Sequence, residues 1–387
     1  MKKEKCLNRR SFVKKSLKAT LLGSLFPYIN RAKEIEFRSK VSDKDPTVEY
    51  RRLGRTGLMV SAVGYGAMRT RDPEVIHRAI DLGVNYIDTA RIYMKGYNEV
   101  VVGKVMKSRR KEVVLATKIL PDLTGEDEIL KSLEESLKAL QTEYVDIIQL
   151  HNLKTTDQVE NESAMKALLK AKEQGKARFI GFTTHKNEIE LLKKAIELNF
   201  YDVVLVKYNF KSPEELGSVI KKAADVDIGI VAMKTQAGGY KDHSMGNLSH
   251  HQAALKWVLQ NPGVATAIPS MVTFGQLEED IRVMKKKMGW QDRKILNRYG
   301  NAIDKIYCRM CNRCSDSCPE GVDVFEVNRS LMYAEGYRDI RLAKSSYSMI
   351  PSEKRPHHCL NCDSCKVVCA YGLNIKMKME RALEIFC

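Results

Sequence analysis

Nowhere in this 387-residue chain does an apolar run approach the roughly 20 residues that a membrane-spanning helix needs. No nucleic-acid-binding motif is present, and the aromatic residues do not interleave with basic runs. The formal charge of +17 therefore reads as a solvated basic surface, and no nucleic-acid partner is expected. Much of that charge is local: residues 1–40 hold twelve Lys or Arg against three Glu, which places +9 in the leader. A basic face can also steer an acidic redox partner. With 44% hydrophobic and 29% charged residues the composition is that of a soluble globular protein, and the length allows two domains.

Cysteine is sparse until the tail, where eight of the ten form two near-copies. Cys308, Cys311, Cys314 and Cys318 read C-x2-C-x2-C-x3-C, followed by Pro319; Cys359, Cys362, Cys365 and Cys369 repeat the spacing, with Ala370 in place of the proline. Zinc needs only two cysteine pairs and leaves no task for a third close thiol. Disulfides are allowed by parity, but cysteines two residues apart are poorly placed to pair. Three thiols at this spacing can wrap an iron–sulfide cube that a fourth, more distant thiol closes. The region resembles the bacterial-type two-[4Fe–4S] ferredoxin modules. That resemblance implies one cluster on Cys308, Cys311, Cys314 and Cys369, and a second on Cys359, Cys362, Cys365 and Cys318. The spacer contains "VFEVNRSLMYAEGY", which predicts a helix and makes the module mostly helical; Cys6 and Cys387 read as bystanders.

Residues 8–30, "NRRSFVKKSLKATLLGSLFPYIN", resemble a twin-arginine export signal, with Arg9 and Arg10 ahead of a short, mildly apolar run. That route carries proteins already folded around their cofactors. Export to the periplasm or the outer face of the cytoplasmic membrane is the expectation, a cytoplasmic protein the alternative. No A-x-A cleavage site is evident, so an uncleaved leader would act as a membrane tether.

From residue 50 onward, β-branched runs alternate with amphipathic stretches. The predicted strands are "VSAVGYG", "NYIDTA", "EVVLATKI", "YVDIIQLH", "ARFIGFTT", "DVVLVKYN", "GIVAMKT" and "ATAIPS", nearly unbroken apolar segments suited to burial on both faces. Between them, "DPEVIHRAIDLG" has Asp72 to cap a helix, Pro73 in its first turn and Gly83 to stop it, while "EDEILKSLEESLKAL" places Leu130, Leu133, Leu137 and Leu140 on one stripe. Eight strand–helix units predict a closed (β/α)8 TIM barrel. A doubly wound open sheet is the competing α/β architecture, but "VGYGAM" lacks its glycine-rich phosphate turn. The expected domains are a leader and linker over 1–45, the barrel over 46–295 and the iron–sulfur domain over 296–387.

In such barrels chemistry gathers at the C-terminal strand ends. There lie Asp88 and nearby Tyr93, Lys118 and His151. A lysine ammonium favours the phenolate of a neighbouring tyrosine, a carboxylate holds that lysine charged, and the phenol can then protonate a carbonyl oxygen. The segment "YIDTARIYMKGYNEVVVGK" is similar to the D-T-A-x-x-Y-G-x-x-E-x-x-x-G motif of the aldo-keto reductases, with Lys95 displacing the register around Gly96; "LATK" and "DIIQLH" match the lysine and histidine segments. The resemblance spans residues 50 to about 290. It implies Tyr93 as proton donor, Lys118 and Asp88 as its tuners, and His151 as the substrate orienter.

For the cofactor, the resemblance points to NAD(H) or NADP(H), with Thr183, Thr184, Tyr208 and Ser270 in the binding positions. The chain departs from the family there. Thr183 and Thr184 replace a Ser-Asn pair, Leu205 a glutamine and Met233 a stacking aromatic, while Ser270 and Gln276 stand where cations grip a 2′-phosphate. Two functions follow as expectations: an oxidoreductase acting on a small carbonyl or alcohol, coupled to the clusters and a redox partner protein, or an electron-transfer adaptor whose barrel has lost turnover.

Overall fold

Strands β1 (Tyr50–Arg52) and β2 (Met59–Ser61) pair antiparallel, and Leu53, Leu58 and Val60 from this hairpin join the hydrophobic cluster inside the barrel. Arg51 fastens the hairpin by donating to the carbonyls of Val264 and Leu259. The barrel strands follow: β3 (Tyr65–Gly66), β4 (Tyr86–Asp88), β5 (Val114–Ile119), β6 (Val145–Leu150), β7 (Ala177–Thr184), β8 (Val203–Lys207), β9 (Gly229–Met233) and β10 (Val264–Ala267). They lie parallel and in sequence order. Backbone bonds from Gly64 N to Ala267 O (2.8 Å), Ala267 N to Ala62 O (2.9 Å) and Gly66 N to Pro269 O (3.0 Å) close the first strand onto the last. The computed structural model describes residues 47–120, 125–240, 249–314, 317–362 and 365–387. The leader and its twin-arginine pattern lie outside them, and among the described residues no helix is long and apolar enough to cross a membrane.

The segment "VSAVGYG" is not one strand, as the sequence pattern predicts, but two. Val60 and Ser61 belong to the hairpin, and the barrel strand begins only at Tyr65. The chain turns between them because Ser61 is held sideways: its N–H donates to Asn85 Oδ1 (2.7 Å) and its hydroxyl to Val63 O (2.8 Å). Elsewhere burial on both faces explains the unbroken apolar runs, since every residue of β5, β6, β8, β9 and β10 is buried.

Helices α1 (Pro73–Asp81), α2 (Tyr97–Arg109), α3 (Glu126–Leu140), α4 (Glu162–Glu173), α5 (Glu188–Leu198), α6 (Glu214–Asp225), α7 (His250–Leu259) and α8 (Phe274–Ile281) follow the eight strands in turn. Asp72 caps α1 by accepting from Glu74 N (3.0 Å), and the chain leaves the helix through Gly83 at φ +86°. The four leucines predicted for the α3 stripe are all buried.

Two units emerge. The first comprises residues up to Tyr208, Pro213–Met233 and Val258–Lys286; the second comprises Asn209–Ser212, Lys234–Trp257 and Lys287–Cys387. A boundary at 295/296 would fall inside α9 (Trp290–Ile303); the second unit starts earlier and takes in two segments that follow barrel strands. Its other helices are α10 (Val324–Glu335), α11 (Ile340–Ser348) and α12 (Ile375–Phe386). Each begins on an Asx cap: Asp323 accepts from Glu326 N, Asp339 from Leu342 N and Asn374 from Met377 N, each at 3.0 Å. Val327, Leu331, Leu373, Met379 and Ala382 form this unit's core, and Cys308, Cys314, Cys318, Cys359 and Cys369 pack against it.

Candidate active site and thiol pockets

Side chains on a strand alternate between two faces, so the inward positions at the top of each barrel strand can be read off in steps of two. Asp88 closes β4, Lys118 lies one residue from the end of β5, and Gln149 and His151 share the inward phase of β6. Lys118 Nζ donates to Asp88 Oδ1 and to Thr89 O (2.7 Å), and Gln149 Nε2 donates to Asp88 Oδ2 (3.3 Å). Asp88 and Lys118 are both fully enclosed. Burial pushes the Asp88 carboxyl up and the Lys118 ammonium down, and each is opposed by the charge of its partner. Lys118 Nζ lies 4.9 Å from the centroid of the Tyr93 ring, and the same ring meets His151 edge-on at 5.9 Å and 85°. Tyr93 is half-buried while Asp88, Lys118 and His151 are buried, so the phenol is the reachable member of the four.

The turn after Tyr93 explains how the interrupted motif keeps its register. Met94 and Lys95 adopt left-handed φ of 53° and 56° and Gly96 one of 89°, so the chain doubles back before α2 begins at Tyr97. Backbone of this kind is strained for non-glycine residues and persists where the surroundings enforce it. Arg91 packs its guanidinium against Gly96 in this turn and donates to Glu99 (3.1 Å), which also accepts from Thr117 Oγ1 (2.6 Å). Burial pushes the Glu99 carboxyl up, against those hydrogen bonds and the Arg91 charge. Gly103 lets α2 approach α3 closely: a Cβ there would collide with Ala139 O.

Each of the predicted nicotinamide positions has a hydrogen-bond partner within the protein. Thr183 faces inward, and its hydroxyl oxygen accepts from Asn152 N (2.8 Å). Thr184 turns its hydroxyl onto Lys186 O and also accepts from Lys186 N (3.2 Å). Tyr208 has the outward phase, and its hydroxyl accepts from Asn261 Nδ2 (3.3 Å) beside Gly217. Its neighbour Lys207 takes the inward phase and pairs with Glu188 at 3.0 Å; burial pushes the Glu188 carboxyl up. Ser270 donates to Gly66 O (3.1 Å), and Gln276 is occupied at the start of α8, its Oε1 accepting from Val272 N (2.9 Å). Leu205 and Met233 belong to the hydrophobic interior of the barrel.

In the second unit the motif cysteines sort into two pockets. Cys308, Cys311, Cys314 and Cys369 line one, with Phe325, Asn328 and Tyr371; Cys318, Cys359, Cys362 and Cys365 line the other, with Pro319, Lys366 and Lys376. Each space measures about 360–380 Å³ including its open mouth. Among the described residues no three His, Cys, Asp or Glu side chains converge on a point that could hold a metal ion. Met310 N donates to Cys308 Sγ and Tyr371 N to Cys369 Sγ, both at 3.4 Å. Burial, with the thiols of Cys318, Cys365 and Cys362 nearby, pushes the Cys359 thiol up to about 11.

The closed parallel barrel is the scaffold of a class of oxidoreductases, and comparison with known proteins agrees. The pattern described as the aldo/keto reductase family matches residues 62–247. The methylglyoxal reductase DkgB of Escherichia coli O157:H7 is 30% identical over 254 residues, 62% of this chain and 92% of that protein. A thermostable aldo-keto reductase, Tm1743, solved with the inhibitor epalrestat, is 27% identical with a TM-score of 0.56 and is covered in full by 65% of this chain. An aldo/keto reductase from Klebsiella pneumoniae, solved with NADP and acetate, shares the fold at 23% identity and a TM-score of 0.54, over 65% of this chain and 94% of that one. The chain belongs to the aldo/keto reductase family.

Sequence reasoning missed three participants. Gln149 shares the inward phase of His151, two residues on, and that spacing was its signal. Lys207 was passed over for its outward neighbour Tyr208. The bracing of the Tyr93 turn by Arg91 and Thr117 through Glu99 has no signal in spacing alone.

Proposed function

We propose that this protein interconverts a carbonyl and an alcohol on a small substrate, with Tyr93 as general acid and base, and that its tail carries two [4Fe–4S] clusters coupled to that reaction. The observation that carries the first part is the packing of Tyr93 against Lys118 and His151 while Asp88, Thr89 and Gln149 fix the lysine. Lys118 lies where its charge favours loss of the phenolic proton, and Asp88 keeps that charge in place against burial. His151 stands beside the phenol, where its ring can orient the substrate oxygen. In the reducing direction Tyr93 gives its proton to the carbonyl oxygen; in the oxidising direction it takes the alcohol proton.

Hydride is what a bound nicotinamide or other two-electron carrier supplies. NAD(H) and NADP(H) are the carriers that the family suggests, but because Thr184, Tyr208 and Ser270 are engaged elsewhere no step is assigned to them. For the tail, the pocket sorting supports Cys308, Cys311, Cys314 and Cys369 as one ligand set and Cys318, Cys359, Cys362 and Cys365 as the other. Thiolate donors around a space, with backbone N–H groups aimed at two of the sulfurs, suit an iron–sulfur cube. Such clusters pass single electrons.

The test is Tyr93→Phe assayed on a panel of small carbonyls that begins with methylglyoxal. A fall in kcat of about 10²–10⁴-fold at unchanged iron content is expected; undiminished turnover overturns the reading. The second reading, an electron-transfer adaptor, is favoured by the diverted nicotinamide positions. Calorimetry separates the two: binding of NADH or NADPH supports the enzyme, and silence with both supports the adaptor. We further propose export by the twin-arginine route, with the leader as tether where it stays uncut. The expected result is retention of an Arg9→Lys, Arg10→Lys variant in the cytoplasm on cell fractionation.

A further inference from the structure

Helix α9 (Trp290–Ile303) divides its residues sharply between two faces. Ile295, Leu296, Tyr299 and Ile303 are buried, whereas Trp290, Arg293, Lys294 and Asn297 are exposed, at the i, i+3, i+4, i+7 spacing of one helix face. Trp290 is 72% exposed, and Lys294 Nζ lies 5.3 Å from its ring. Lys287 is exposed and only three residues before Trp290, so the chain itself keeps their Cα atoms within about 11 Å. The charge around the ring has one sign. Residues 282–298 hold seven Lys or Arg against one acid, Asp292. That acid is already occupied, since it pairs with Lys256 and accepts from Gly289 N, both at 2.8 Å. Counting Glu278, Glu279 and Asp280 of α8 as well, residues 278–298 carry seven basic against four acidic side chains, a net +3, and none of those three α8 acids is exposed. Among the described residues no ion pair engages Lys286, Lys287, Arg293 or Lys294.

We propose that the face formed by Lys287, Trp290, Arg293 and Lys294 rests on an anionic lipid surface, with the indole at headgroup level and the cations on lipid phosphates. A bilayer is favoured over an acidic protein by what the face lacks. A protein interface gathers apolar residues at its core. Here Trp290 is the one exposed large apolar residue of 278–298, set among cations. Tryptophan concentrates at membrane–water boundaries because its ring is apolar in body and polar at one edge. Basic residues beside an anionic leaflet each raise affinity about fivefold. No helix among the described residues is long and apolar enough to cross a membrane, so the contact is peripheral. The inference stands apart from the Tyr93 and iron–sulfur readings.

The test uses the full chain with vesicles of mixed phosphatidylglycerol and phosphatidylcholine, or of phosphatidylcholine alone. The chain has two tryptophans, so Trp257→Phe leaves Trp290 as the single reporter. On the anionic vesicles its emission should move to shorter wavelength and its quenching by acrylamide should fall; on the neutral ones neither should change. In co-sedimentation a Lys287→Glu, Lys294→Glu variant should bind the anionic vesicles at least about 25-fold more weakly. Salt that shortens the Debye length from roughly 30 Å to 3 Å should weaken wild-type binding likewise. Near-ultraviolet circular dichroism of both variants should match wild type. Vesicle binding that leaves Trp290 emission and the double variant unchanged assigns the contact to another part of the chain and overturns the proposal. A Trp290 response to polyglutamate but not to vesicles gives the face to an acidic protein and overturns it equally.

Discussion

Lys118 has two positions to hold at once: its ammonium is buried with Asp88, and it lies under the ring of Tyr93. A buried ion pair adds little net stability, but removing one partner strands the other charge. Lys118→Met should therefore cost about 3–5 kcal/mol in denaturant-induced unfolding, and adding Asp88→Asn should recover much of that loss. An additive double variant would show that the pair is not coupled as described. That Asp88, Tyr93, Lys118 and His151 stand together was legible because the motif fixes both their spacing and their place at strand ends. Gln149 and Lys207 were not, since the face that a strand residue presents depends on phase, and a slip of one residue exchanges the two faces. Tyr208 shows the consequence: named for the cofactor, it packs outward against Asn261.

At the level of elements, the strongest periodic signals were the most legible. The leucine stripe of α3, the Asp72 cap of α1 and the residues of β7 match the sequence pattern. The first barrel strand was not legible, because an apolar run does not show where Ser61 and Asn85 will break it. Gly103 sets two local effects against each other. Alanine is favoured over glycine within a helix by about 1 kcal/mol, yet a Cβ here meets Ala139 O on the facing helix, and overpacking costs about 1–3 kcal/mol. The collision involves backbone that cannot swing aside, so Gly103→Ala should destabilise the barrel by about 1 kcal/mol or more in urea unfolding. A stabilised variant would mean that α2 and α3 have room to separate.

On the scale of the whole molecule, the two units depend differently on their cysteines. The barrel has none among its described residues, whereas five motif cysteines pack on the core of the second unit. Metal sites in small domains contribute directly to folding. On the proposed cluster reading, chelation under oxidising conditions should therefore expose the tail to limited proteolysis while the barrel fragment survives; simultaneous loss of both would contradict that dependence. The doubled cysteine motif marks the tail as chemically distinct from the barrel pattern. That the second unit also takes in Asn209–Ser212 was not legible, because that segment carries no motif. One determination bears most directly on the claim that a phenol-centred barrel is joined to paired electron-carrying cubes: iron and acid-labile sulfide in folded protein purified without oxygen. Two cubes of four irons require about eight of each per chain. Folded material containing neither, or zinc in their place, would contradict it.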